Sequence, residues 1–85
     1  MLGKANNIKR RGGIFVIKTL RELSTGESAQ MIGFYDSYTE NLLKKFGLFV
    51  GENVKCIART NMMVIEFNLM TIALAKTLAS RVFIK

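Results

Sequence analysis

The chain has no histidine and no proline, only one cysteine and only six acidic residues. Each shortage excludes something. Without histidine there is no Ser–His or Cys–His nucleophile–base pair. The acids Glu22, Glu27, Asp36, Glu40, Glu52 and Glu66 are scattered, and no two stand where helical or strand periodicity would join them for acid–base work. Cys56 alone cannot form an internal disulfide, and no His/Cys or carboxylate cluster has metal-ligand spacing. No catalytic residue, metal ligand or cofactor site is therefore expected, and the chain reads as a non-enzyme. No apolar run approaches the ~20 residues of a membrane span. The start KRRGGIFVIK is too short in its apolar part, Ile14 to Ile17, for a signal peptide. These points, with the lone thiol, fit a cytoplasmic protein.

What is present is apolar and basic. Eighty-five residues make one domain, and 49% are hydrophobic. A chain this short buries roughly 60–65% of its unfolded surface, so the core is small. The formal charge is +7. Residues 1–18 carry five basic residues and no acid, whereas residues 19–85 carry eight basic and six acidic ones. The surplus thus sits in the leader. Residues 1–13 read as a flexible basic leader ahead of a domain over 14–85. A nucleic-acid face would need lysines and arginines clustered on the folded part, so nucleic acid is not an expected partner.

Ile14–Ile17 reads as a first strand or edge. Leu20 and Leu23 bracket a polar turn ending at Gly26. Ser28–Phe34 reads as a strand with Ala29 and Met31 on its inner face, and Gly33 as a bulge that swings Phe34 inward. Ser37-x-x-Glu40 has capping-box spacing, which predicts a helix over about Tyr38–Phe46 with Leu42, Leu43 and Phe46 as its apolar stripe. Three alternating runs follow. Their expected inward sets are Val54/Cys56/Ala58, Met63/Ile65/Phe67 and Met70/Ile72/Leu74. Asn61 and Asn68 separate the runs, and asparagine tolerates the positive φ of hairpin turns. Lys76–Ser80 reads as one helical turn, and Arg81–Lys85 as a closing strand with Val82 and Ile84 inward. About five short strands and one short α-helix bury their edges best as a small, mainly β, SH3-like barrel.

The segment KKFGLFVGE, Lys44 to Glu52, could be a phosphate cradle or a helix-to-strand junction. Its order decides against the cradle. A P-loop puts its lysine after the glycines and at a helix start, whereas here the lysines come first, at a helix end whose negative pole repels phosphate. Gly47 suits a left-handed helix stop with Leu48 packed back on Leu43. Phe49-Val50-Gly51-Glu52 suits a type II turn with Gly51 at its third position. Phe49 and Val50 would then head an exposed tip.

Three motifs occur in order: Leu20/Leu23/Gly26, then Leu43/Gly47/Leu48/Gly51/Val54, then Ile72/Ala73/Leu74/Ala79/Val82/Ile84. Together they resemble the ferrous iron transport protein A (FeoA) family across residues 19–85. Val50 stands where that family favours proline, Asn68 where it favours glycine, and the loop around Asn61 is short. The resemblance implies an SH3-like barrel and a small cytosolic accessory of ferrous iron uptake. Its implied partner is the cytosolic, GTP-binding part of a FeoB-type transporter, which would hold the protein at the membrane indirectly. Related domains end metal-dependent repressors, so the alternative is a nucleic-acid-binding or metal-responsive regulatory module. Candidate partner contacts are Leu42, Phe49, Val50 and Met62. Gly26, Gly47, Gly51 and Asn68 are structural turns.

Overall fold

A computed structural model describes residues 18–85. The leader over 1–13 and the Ile14–Ile17 strand lie outside them. The elements are β1 (Lys18–Thr19), a 3-10 turn (Leu20–Glu22), β2 (Ser28–Phe34), α1 (Ser37–Lys44), β3 (Asn53–Arg59), β4 (Met62–Phe67), β5 (Met70–Ala75), α2 (Lys76–Ala79) and β6 (Val82–Ile84). All strand pairs among them are antiparallel, in the order β1-β6-β2-β3-β4-β5. Six strands form where about five were expected; the strand not foreseen is the two-residue β1, which pairs with β6.

Alternation sets the interior. Val54, Cys56, Met63, Ile65, Phe67, Val82 and Ile84 are buried, as their period-two spacing requires. Leu20, Leu23, Met31, Leu43, Leu48, Leu74 and Ala79 complete the core, with Ala29, Phe34, Ile72 and Leu78 packed against it. The register of β2 against β6 slips between Met31 and Gly33, so the bulge expected at Gly33 forms and Phe34 reaches the core.

Two inward assignments are corrected. A second bulge between Cys56 and Ala58 puts one extra residue, Ile57, into β3, and Ala58 ends opposite half-buried Val64. The shift also turns Arg59 onto the 3-10 turn. Its guanidinium donates to Arg21 O and, at 2.6 Å, to Leu23 O. Met70 occupies the last rung of the β4–β5 hairpin opposite Phe67, at the mouth of the sheet, and remains 45% exposed.

The helix is also corrected at both ends. Its cap is Asp36, whose carboxylate accepts from Thr39 N–H at 2.9 Å, instead of the Ser37/Glu40 box. Ser37 is already helical, and Glu40 pairs with Lys44 at 3.3 Å one turn on. Regular helix stops at Lys44, so Phe46 falls beyond it and stays half exposed instead of joining the core stripe. Thr39 and Leu43, four residues apart, are the buried stripe.

Candidate interaction surface

The Lys44–Glu52 segment is a double turn. Leu48 N–H donates to Leu43 O at 3.1 Å, Gly47 N–H donates to Lys44 O at 3.0 Å, and Gly47 has φ +88. This pair of bonds is a Schellman end, and it satisfies carbonyls that the helix terminus would leave free. Leu48 is fully buried. Glu52 N–H then donates to Phe49 O at 3.1 Å with Gly51 at φ +100, which is the type II turn. The turn is pinned to β2. Gly51 N–H donates to Met31 O, Met31 N–H donates to Glu52 O, and Gln30 Nε2 donates to Gly51 O. Phe49 and Val50 project from this anchored base, 47% and 54% exposed.

A second turn lies beside it. Asn68 and Leu69, the two residues between β4 and β5, have φ +47 and +64. Positive φ at both positions is the type I′ hairpin geometry that matches strand twist. Asn68 fills its expected role, but Leu69 is unusual, because a branched side chain there meets its own backbone. Leu69 is 101% exposed. Asn68 Nδ2 donates to Glu52 Oε1 at 3.0 Å and ties the two turns together. The Phe67 ring passes beneath, 3.9 Å from where a Cβ on Gly47 would stand.

The four candidate contacts do not form one patch. Phe49 and Val50 sit at the tip. Leu42 is half-buried on α1, beside exposed Tyr38 four residues earlier. Met62 starts β4 opposite Ala75, at the other end of a six-residue strand that spans roughly 20 Å. Leu69 was missed. The signal was the two-residue Asn68-Leu69 gap between alternating runs, which forces the second residue as well as the asparagine into a positive φ. Asn61 does not behave like Asn68. It lies at the β3–β4 tip without a positive φ, and Thr60 N–H bonds Met62 O across it. Gly26 forms its turn as expected, with Glu27 N–H donating to Ser24 O at 2.9 Å.

The helix start carries a charge effect. The Asp36 carboxyl is held below its ordinary value, first by the Thr39 hydroxyl, then by Thr39 N–H and, more weakly, by Arg81; desolvation opposes this. The N–H bond is the one with formed geometry, since buried Thr39 Oγ1 has no partner at hydrogen-bonding geometry. Arg81 approaches Asp36 at 3.4 Å. It also lines, with Thr77 and Leu78, a cleft of about 160 Å³, well below the size of ordinary small-molecule sites. Among the described residues no three His, Cys, Asp or Glu side chains group to hold a metal, and no helix is long and apolar enough to cross a membrane.

The arrangement is that of known structures. A crystal structure of an iron uptake regulatory protein (FeoA) is 19% identical with a TM-score of 0.76, over 84% of this chain and 97% of that one. Stenotrophomonas maltophilia FeoA complexed with zinc, described as a procaryotic SH3 domain protein, is 24% identical with a TM-score of 0.72, over 80% and 89%. A manganese-dependent transcriptional repressor is 14% identical with a TM-score of 0.72, over 80% of this chain but 40% of its own. At these identities the likeness is one of fold, here the SH3-like one. No curated protein matches. The FeoA domain model, however, matches residues 18–85, and the chain belongs to the FeoA family.

Proposed function

We propose that this protein is a non-enzymatic accessory of ferrous iron uptake. It acts in the cytoplasm by docking on the cytosolic, GTP-binding part of a FeoB-type transporter. The observation that carries the reading is the family match across the whole described domain. The surface agrees with it. Several large apolar side chains, Tyr38, Phe49, Val50 and Met62 among them, are exposed and available for contact.

The docking face we assign is the outer side of α1, around Leu42 and Tyr38. Those side chains lie four residues apart on one helical face, opposite in function to the Thr39/Leu43 face that holds the core. A helix laid into an apolar groove is read through such a stripe. Met62 is a separate, single contact at the far end of β4. Pulldown of the transporter's cytosolic domain by the full chain tests the reading. Capture that fails in Leu42→Ser supports it, and absence of capture with and without guanine nucleotide overturns it.

The fold shared with a manganese-dependent repressor favours one second reading, a regulatory module that contacts nucleic acid through its leader. That reading requires affinity falling steeply with salt and vanishing when residues 1–13 are removed.

A further inference from the structure

β5 (Met70–Ala75) is an edge of the sheet and pairs with β4 alone among the described residues. The hairpin fixes which of its backbone groups are used. A two-residue type I′ loop closes on a hydrogen-bonded pair, here Phe67 and Met70, so Ile72 and Leu74 bond β4 in their turn. Thr71, Ala73 and Ala75 fall on the rungs between, and their N–H and C=O groups point away from β4. Met62, opposite Ala75, agrees with this phase, because its carbonyl accepts from Thr60 N–H on the β3 side. No bond from another strand, turn or loop reaches the backbone of Thr71 or Ala73 among the described residues.

Sheet edges are ordinarily guarded by charge, proline, a bulge or shortness. This edge has none of these. The segment MTIALA is uncharged, contains no proline and runs six residues in unbroken register with β4. Its solvent face shows Thr71, Ala73 and Ala75, whose short side chains leave the backbone open to a neighbouring strand. On the other face Ile72 packs against the core but stays half-buried. Two charges flank the edge. Glu66 stands opposite Thr71 on β4, and Lys76 follows Ala75. Neither makes an ion pair among the described residues, although Glu66 also stands opposite Lys55 on β3.

We propose that β5 pairs with β5 of a second copy of this chain, antiparallel about a two-fold axis at Ala73. The strand is self-complementary in that register. Ala73 meets the partner's Ala73, and Thr71 meets the partner's Ala75, so outward-pointing groups face outward-pointing groups along the seam. The same register sets Ile72 opposite the partner's Leu74, and the half-buried isoleucine gains an apolar neighbour. Charge favours a second copy over an unrelated extended strand. Glu66 shares its rung with Thr71, whose new neighbour is the partner's Ala75, so the partner's Lys76 arrives at the end of that rung. Two strand spacings, about 10 Å, separate the backbones there, within the joint reach of a glutamate and a lysine. The two-fold makes this match twice. A seam one strand wide buries little surface, so the dimer is weak and forms at high concentration. The α1 face is left free, and the transporter reading plays no part in the pairing.

The experiment is analytical ultracentrifugation of the full chain from about 10 μM to 1 mM, with amide exchange read by NMR at both ends of that range. A monomer–dimer equilibrium is expected, with exchange at Thr71 and Ala73 slowing as concentration rises. Ala73→Pro removes a donor aimed at the seam and none from the β4 ladder. It should eliminate the dimer, while the dilute variant still melts cooperatively. Thr71→Lys, a guard of the ordinary kind, should do the same without altering the backbone. Glu66→Lys should weaken the dimer by about tenfold, and Glu66→Lys/Lys76→Glu should restore it. A monomer at every concentration overturns the proposal, as does a dimer that survives both edge variants. Slow exchange at Thr71 and Ala73 that does not depend on concentration gives the edge to the chain's own leader and also overturns it. A double variant no tighter than Glu66→Lys overturns the two-fold register.

Discussion

Asn68 Nδ2 lies 3.0 Å from Glu52 Oε1, and this single bond joins two turns sixteen residues apart in the chain. It ties the turn that carries the strained Leu69 to the turn that carries Phe49 and Val50. The tip is thus a property of the fold and not of either loop alone.

Leu69 makes the first test. Its φ of +64 costs an L-residue what glycine does not bear, and its side chain contributes no packing in return. Leu69→Gly should raise stability by roughly 0.5–1 kcal/mol, after allowance for glycine's larger unfolded-state entropy. Urea denaturation measures this. A loss of stability would mean that Leu69 packs on the chain.

Val50 tests the neighbouring turn. It holds the position of a type II turn where proline's fixed φ fits, and its N–H takes no backbone turn or loop hydrogen bond among the described residues. Val50→Pro should stabilise by about 0.4–1 kcal/mol, read as a higher melting temperature. A clear drop would refute the turn geometry.

How far this was legible in the sequence follows from how local each signal is. Period-two alternation gave β2 to β5 and most of the core, because burial of one face is written residue by residue. Gly47 and Gly51 gave both turns of the KKFGLFVGE segment, because only a left-handed residue fits there. The bulge at Ile57 was not legible. Nothing in Val54–Arg59 says that one residue is extra, since register depends on the partner strand. The cap was misassigned between two adjacent candidates, Asp36 and Ser37, whose side chains are equally capable. Leu42, Phe49, Val50 and Met62 were legible as apolar residues at loops or helix faces, but their separation came only from the sheet order.

Arg59 tests the bulge. Its guanidinium bonds the carbonyls of Arg21 and Leu23, which holds the 3-10 turn and its buried leucines against β3. Arg59→Ala should cost about 1.5–3 kcal/mol, the range for hydrogen bonds that involve a charged group. Amide exchange of residues 20–26 should accelerate more than that of β4. Uniform or absent change would show that the anchor is not formed.

Asp36 tests the helix start through pH. Its carboxyl is depressed in the folded protein, chiefly by Thr39, whose N–H donates to it at 2.9 Å. The folded chain therefore favours the charged form. The stabilisation is fully present above the ordinary aspartate range and is lost as pH falls through the lower folded value. Asp36→Asn should flatten that acid limb of the melting-temperature profile. An unchanged limb would contradict the capping assignment.

The central claim is that this domain docks on a ferrous iron transporter. Isothermal titration of the full chain into the cytosolic domain of a FeoB-type transporter tests it most directly, with guanine nucleotide present and absent. The predicted result is saturable binding that Leu42→Ser weakens while the variant's melting curve stays cooperative. No binding in either nucleotide state, with both proteins folded, would contradict it.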